Sequence, residues 1–314
     1  MNVGDIEVLP VLDGMIVSRL PASMPYPDQD SEAWREQHGM FRDDGLIEST
    51  VGGFLVQTGD RLALVDAGLG PMTSDFTAPV IDVDDDDDPY VQALTDQGIP
   101  RENFPLVVEH FKDTEIEGGR LPASLRALAV ECADITDVIA THLHFDHIGW
   151  ASDRGEPVFP NATFRCASAD LEFFTSERQE RFMAMLFDLP ETEARLAPVA
   201  DRIETWDHDT NLFPGVDVRL APGHTPGSSV VVLSDGAARA MLLGDMVHCP
   251  LELSDDDFDL LVDVDMELAQ RTRVAYAREL EGGDIPVAAS HFPELRFGRL
   301  LPGEGRRRWT FDVS

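Results

Sequence analysis

Lysine is almost missing from this 314-residue chain. Lys112 is the only one, and lysine and arginine together number 24 against 59 aspartates and glutamates. The resulting net charge of -35 sets up a field that repels phosphate, which excludes nucleic acid and anionic membranes as partners. Cysteine is scarce too. Cys132, Cys166 and Cys249 are an odd number at wide spacing, which argues against a disulfide framework and predicts reduced thiols in a cytoplasm. No apolar run reaches the length that spans a bilayer. Residues 1–10 carry two acids and no basic residue, so no signal peptide is predicted and the expected location is cytoplasmic.

Acid is what the chain has in excess. The plain reading is a solvated acidic surface. A saline cytoplasm would screen its self-repulsion, so a halophilic host is a hypothesis that salt-dependent stability tests. The acid run at 84–88 reads as a hydrated loop, because consecutive carboxylates repel one another. With 43% hydrophobic residues the chain has ample material for a core. No linker, repeat or shift of composition divides it. The expectation is one domain over residues 1–314, with an acidic insertion at 75–117.

The local pattern alternates strands with helices. Residues 6–18 read as a strand, an Asp13-Gly14 turn and a second strand. Residues 51–58 and 61–65 read as a hairpin closed by Gly59-Asp60, and the second strand runs into Asp66-Ala-Gly68-Leu-Gly70. A Pro-rich loop is expected at 21–30. Helices are expected at 122–132, 169–187 and 266–280. Strands are expected near 137–140, 162–166, 216–220, 229–233, 240–243 and 286–290. Strands cluster before and after the helices, which predicts an α/β layered sandwich over a doubly wound sheet.

The chemistry concentrates at His142-x-His144-x-Asp146-His147, where three imidazoles and a carboxylate fall within six residues. Both groups are good ligands for zinc and similar divalent ions. A helical zinc site would space its histidines four apart. The spacing here suits a loop that leaves a strand and turns each side chain toward one centre. A single loop histidine is usually a surface or hydrogen-bonded residue, and His38, His110 and His208 are read that way. Clustered histidines are poor packing material. Phe145, Phe173, Phe174 and Phe182 are read as core.

The segment Thr141-His-Leu-His-Phe-Asp-His147 resembles the signature of the metallo-β-lactamase superfamily. Further motifs of that family follow its order: Asp66 in LVDAG, His224 in APGHTPGS, Asp245 in LLGDMVH and His291 in ASHF. The resemblance implies a four-layer αβ/βα sandwich with two divalent ions about 3.5–4 Å apart. Zinc is the first expectation, with manganese, cobalt or iron able to replace it. His142, His144 and His224 would hold one ion, Asp146, His147 and His291 the other, and Asp245 would bridge. Asp66 would fix a ligand imidazole through its other N–H. A shared water would then supply hydroxide near neutral pH, oriented by Asp146, for attack on a carbonyl or phosphoryl centre of a small molecule. Relatives are often dimers, so a homodimer is a further expectation.

His248 lies three residues beyond Asp245. The superfamily's acyl-homoserine lactonases carry tyrosine there, and GDMVH is more similar to the branch of methyl parathion hydrolase and related lactonases and esterases. His248 is therefore a candidate catalytic residue, weighed against a supporting role. The expected reaction is hydrolysis of a lactone, ester or phosphotriester. The alternatives are a glyoxalase II-like thioester hydrolase and a mononuclear iron oxidoreductase similar to the persulfide dioxygenases.

Overall fold

The computed structural model describes residues 1–19, 46–76, 82–96, 101–105, 114–176, 192–256, 263–303 and 307–311. Two sheets face one another. In chain order the first contains β1 (Asn2–Val3), β2 (Ile6–Arg19), β3 (Leu46–Thr58), β4 (Arg61–Val65), β5 (Thr73–Phe76), β6 (Thr114–Glu117) and β7 (Asp137–Ile139). A small ribbon, β8 (Ser152–Asp153) with β9 (Glu156–Pro157), precedes its last members, β10 (Thr163–Ala167) and β11 (Ile203–Trp206). Across the sheet the order is β11-β10-β7-β4-β3-β2-β6-β5, with β1 on β2. The second sheet runs in chain order through β12 (Thr210–Phe213), β13 (Val216–Leu220), β14 (Ser229–Asp235), β15 (Ala238–Leu242) and β16 (Val287–Ala288).

Alternation along the strands makes the layers. In β3 and β4, Phe54, Val56, Ala63 and Val65 pack in the core that also takes Val218, Val231, Leu233 and Leu242 from the second sheet. Leu55 and Leu64 point the other way, into a core with Leu121 and Leu125 of the Leu121–Ala127 helix and Phe174 of the Ser168–Phe174 helix. Val230 and Val232 likewise leave β14 on its far side, to meet Tyr276, Ala277 and Leu280 of the Met266–Gly283 helix. Strands buried on both faces need unbroken apolar runs, which explains RLALV and SVVVL. The result is helix, sheet, sheet, helix. No described helix is long and apolar enough to cross a membrane.

The hairpin closed by Gly59-Asp60 forms as read. The Asp13-Gly14 turn does not. Residues 6–19 are one strand, paired with β3 throughout and carrying a bulge between Leu12 and Gly14. A Cβ on Gly14 would stand 1.7 Å from the Glu117 carbonyl oxygen of β6, so glycine is needed there for strand approach and not for a reversal. The 122–132 helix is shorter than expected. It ends at Ala127, Ala129 turns left-handed at φ 60°, and a separate turn forms at Cys132–Asp134. The strand at 286–290 contracts to Val287–Ala288. The loop at 21–30 and residues 177–187 lie outside the described residues.

The acid run 84–88 is largely exposed. Carboxylates in and just before it fold back on the local backbone: Asp82 accepts from the Asp84 N–H, Asp85 from Asp87, and Asp88 from Tyr90 at the start of the Pro89–Asp96 helix. These acids therefore act as turn formers and a helix cap.

Candidate metal centre

The site grows from the end of β7. Asp66, at φ 61°, leaves β4 in a left-handed conformation that costs a non-glycine residue energy. Its carboxylate repays the strain with four contacts. It accepts from the Thr141 N–H at 2.8 Å, the Thr141 hydroxyl at 3.0 Å and the Ser290 hydroxyl at 2.7 Å, and pairs with His147 Nδ1 at 2.9 Å. Backbone bonds from Ala67 to His147, Gly149 to Gly68 and Trp150 to Ala67 stitch the two loops together. Gly149 is required by that closeness, since a Cβ would meet the Leu69 carbonyl carbon at 1.9 Å.

Two more buried carboxylates brace these loops. Asp13 accepts from the N–H groups of Leu69, Gly70, Gly119 and Leu121 and from Trp150 Nε1. Asp170 accepts from the Leu143 N–H, the Thr225 hydroxyl and the Gly227 N–H, joining the His142 loop to the His224 loop. Burial pushes Asp170 up to about 6, against the pull of those three bonds.

All seven predicted ligands converge. His142, His144, His224 and Asp245 form one group and Asp146, His147, Asp245 and His291 a second, with donor atoms within 4.8 Å of one another in each. Asp245 belongs to both. His142 Nε2 and His224 Nε2 lie 2.8 and 2.9 Å from the same His144 Nδ1. Three imidazole nitrogens that close cannot all be satisfied by hydrogen bonds, and a cation among them resolves the conflict. The rings are also aimed. His147 Nδ1 faces Asp66, His224 Nδ1 faces Asp263 Oδ1 at 3.0 Å, and His291 Nδ1 donates to the Thr50 carbonyl at 3.1 Å. Each leaves Nε2 turned inward, as ligand imidazoles require. The donor set therefore fits two divalent ions, with nitrogen and oxygen ligands of the kind zinc takes.

The electrostatics divide the cluster: His142 and His144 are driven toward the neutral form, whereas the carboxylates draw His147 and His291 toward the charged form against their burial. Burial, reinforced by neighbouring imidazoles, drives His142 well below its ordinary value and His144 down to about 3, so both rings stay neutral with lone pairs to offer. Burial opposes charge on His291 as well, but Asp245 and Asp146 outweigh it and raise His291 to about 9. Asp146 is held at about 2, because His147 and His291 overcome its burial.

His248 is buried beside the cluster. Its Nε2 lies 3.4 Å from Asp245 Oδ2, its Nδ1 lies 3.5 Å from Glu252 Oε2, and its ring stacks on His291. Trp150 is explained by its bond to Asp13. Phe174 packs edge-on against His144, with Phe173 behind it. Phe145 packs against the Val51, Leu69 and Ile116 core. His208 is exposed beside Asp207, and Cys249 is buried with its thiol pushed up by burial. His38, His110 and Phe182 lie outside the described residues. The sequence marks Asp13 only as half of a turn and gives no signal for Asp170, Glu252, Asp263 or Arg273.

Residues 53–282 match the sequence pattern of the metallo-beta-lactamase superfamily. The chain belongs to that superfamily. An N-acyl homoserine lactonase of a Bacillus species is 26% identical over 159 residues, covering 48% of this chain and 56% of that protein. The Bacillus cereus N-acyl homoserine lactonase is 25% identical over 158 residues, with the same shares covered. The chain thus spans little more than half the length of these curated relatives. Among solved structures, AidC, a dizinc quorum-quenching lactonase in complex with a product, superposes with a TM-score of 0.70 at 23% identity over 99% of this chain and 95% of that one. The hydrolase AbOPH of the beta lactamase superfamily gives 0.73 at 20% identity over 98% and 95%. Those two likenesses establish the metallo-beta-lactamase fold and nothing finer.

Proposed function

We propose that this chain is a binuclear metal-dependent hydrolase of lactones, esters or phosphotriesters, with zinc the expected metal. The observation that carries the reading is Asp245, one carboxylate common to both donor groups. When bound, two divalent ions would supply a hydroxide near neutral pH and polarise the carbonyl or phosphoryl oxygen of the centre under attack.

The chain's own residues do the rest. Asp146 turns Oδ2 toward His291 Nε2 at 3.3 Å and His147 Nε2 at 3.8 Å, and in this reading its other oxygen orients the hydroxide by accepting a hydrogen bond from it. Asp66 keeps His147 aimed and ties Thr141 to Ser290, so the loop geometry is set before substrate arrives. Five imidazoles lie within 3.8 Å of an Asp245 oxygen: His142, His147, His224, His248 and His291. Of these, His248 alone belongs to neither donor group. It is therefore the ring assigned to substrate or to the aim of Asp245. Lactones are the first class to test, because the relatives that match in sequence are named N-acyl homoserine lactonases.

The test is elemental analysis of the purified chain, followed by assay after zinc, manganese, cobalt or iron reconstitution. The panel holds lactones, aryl esters, phosphotriesters and glutathione thioesters. About two ions per chain and turnover of one of the first three classes are expected. Activity with a firm stoichiometry of one, or oxygen consumption with a persulfide, defeats the reading.

A further inference from the structure

Three charged side chains outside both donor groups are buried against the cluster. The side chains of Asp263, Glu252 and Arg273 are 1%, 0% and 3% exposed. Arg273 projects from the Met266–Gly283 helix, Asp263 stands just ahead of that helix, and Glu252 lies in the short Leu251–Ser254 helix. Arg273 Nη1 donates to Asp263 Oδ2 at 2.7 Å and lies 3.9 Å from Glu252 Oε1. Each carboxylate turns its other oxygen to a histidine. Asp263 Oδ1 meets His224 Nδ1 at 3.0 Å. Glu252 Oε2 accepts the backbone N–H of His248 at 2.5 Å and of Cys249 at 3.2 Å, and faces His248 Nδ1 at 3.5 Å.

A buried arginine is costly unless its partners are well placed. Here one guanidinium lies between two carboxylates that would otherwise repel, reaching both through Nη1. Hydrogen bonds join His224 to Asp263, Asp263 to Arg273, and Glu252 to the His248 backbone, while Arg273 to Glu252 at 3.9 Å and Glu252 to His248 Nδ1 at 3.5 Å are longer ion-pair approaches. We propose that Arg273 is a positioning residue, setting the aim of His224 and His248 through Asp263 and Glu252. The proposal rests on the reading of His224 as a metal ligand.

Arg273→Met is the test, with Arg273→Lys and Asp263→Asn beside it. Zinc affinity of the full chain, by chelator competition, should fall about 10–100-fold in Arg273→Met, the range for lost support of a ligand histidine. Arg273→Lys should lie between it and wild type. The double variant Arg273→Met/Asp263→Asn should be no weaker than the worse single variant, since both break one path. Arg219→Met, which removes a half-exposed pair with Glu279 on the same helix, should leave zinc affinity unchanged. A second readout needs no metal. Imidazole nitrogen shifts of the metal-free protein should show His224 protonated at Nδ1 in wild type and a mixture of tautomers in Arg273→Met. That readout stands even if the wild-type chain binds no zinc, which would overturn the two-metal function instead. If Arg273→Met does not fold, Arg273→Lys and Asp263→Asn deliver the same readouts. Lower thermal stability with unchanged zinc affinity and an unchanged His224 tautomer would overturn the proposal, as would single effects that multiply in the double variant.

Discussion

Asp13→Asn should destabilise the chain by about 4 kcal/mol, although Asp13 touches no candidate ligand. Its two oxygens divide five donors. Oδ2 takes the N–H groups of Leu69 and Gly70, and Oδ1 takes those of Gly119, Leu121 and Trp150 Nε1. An asparagine keeps one acceptor oxygen and replaces the other with an N–H₂ group. In its better orientation it retains the three donors on Oδ1 and turns N–H against the other two. Each lost bond to a carboxylate, with its donor left buried, costs about 2 kcal/mol, so two cost about 4. Trp150→Phe removes only one donor and leaves the carboxylate with four, so about 1 kcal/mol is expected. Asp13→Ala strands all five, and that loss approaches the whole stability of an ordinary domain, about 5–15 kcal/mol. Urea unfolding followed by circular dichroism reads the series in molar salt. The order Trp150→Phe, Asp13→Asn, Asp13→Ala must hold. An Asp13→Asn variant within about 1 kcal/mol of wild type would refute the claim that this carboxylate clamps the loops beneath the site.

Four further outcomes are expected. Asp245→Ala should abolish hydrolysis and lower metal content while the circular dichroism spectrum stays native, and a variant that keeps most of its activity removes Asp245 from the shared position. His248→Phe should keep both metals and lower kcat more than it raises KM, because it removes a group that serves the transition state and no ligand; lost metal would make His248 a ligand or its support, and unchanged kinetics on every substrate would make it packing. Asp170 sits at about 6 in the folded chain against 3.8 ordinarily, so the folded state binds its proton more tightly and this group's contribution to stability falls as pH rises from about 4 to 6. Asp170→Asn lacks that loss, so the urea midpoint of wild type should drop relative to the variant across the interval; a pH-independent difference would contradict the assignment. Finally, the net charge of -35 should make the thermal midpoint climb as potassium chloride rises toward molar levels, where the screening length falls to about 3 Å; full stability in dilute buffer would sink the halophilic hypothesis.

The ligands were legible because three of the nine histidines fall within six residues beside Asp146 and a fourth, His224, lies in the glycine-flanked PGHTPG, whereas His291 in ASHF has no such local mark. Their pairing into two groups came from the resemblance to a family, and the spacing of His142, His144 and His147 alone would have left it open. What holds the ligands was not legible, for a reason of composition. Residues 252–265 contain seven acids, and nothing local marks Glu252 and Asp263 as the two that turn inward to Arg273. In a less acidic chain two carboxylates beside an apolar stretch would have stood out. Here the excess that reveals a solvated surface also hides the few acids that are not part of it.

The Asp13-Gly14 reading failed on different grounds. A dipeptide of this kind closes hairpins because both residues tolerate a left-handed backbone. The same glycine also suits a bulge where another strand comes close. Which use prevails is decided by β6, a hundred residues later in the chain, whose Glu117 carbonyl occupies the space a side chain would need. Asp13 is then left inside the fold, and the donors that satisfy it come from the loop after β4, Gly119 and Leu121 at the start of the Leu121–Ala127 helix, and Trp150 just past the His147 ligand. A carboxylate flanked by apolar strand residues, as in PVLDGMIV, has to find such donors or stay out of the core. That requirement, more than the turn propensity of Asp-Gly, is the signal in the segment, and it points from the N-terminal strand to the floor of the metal site.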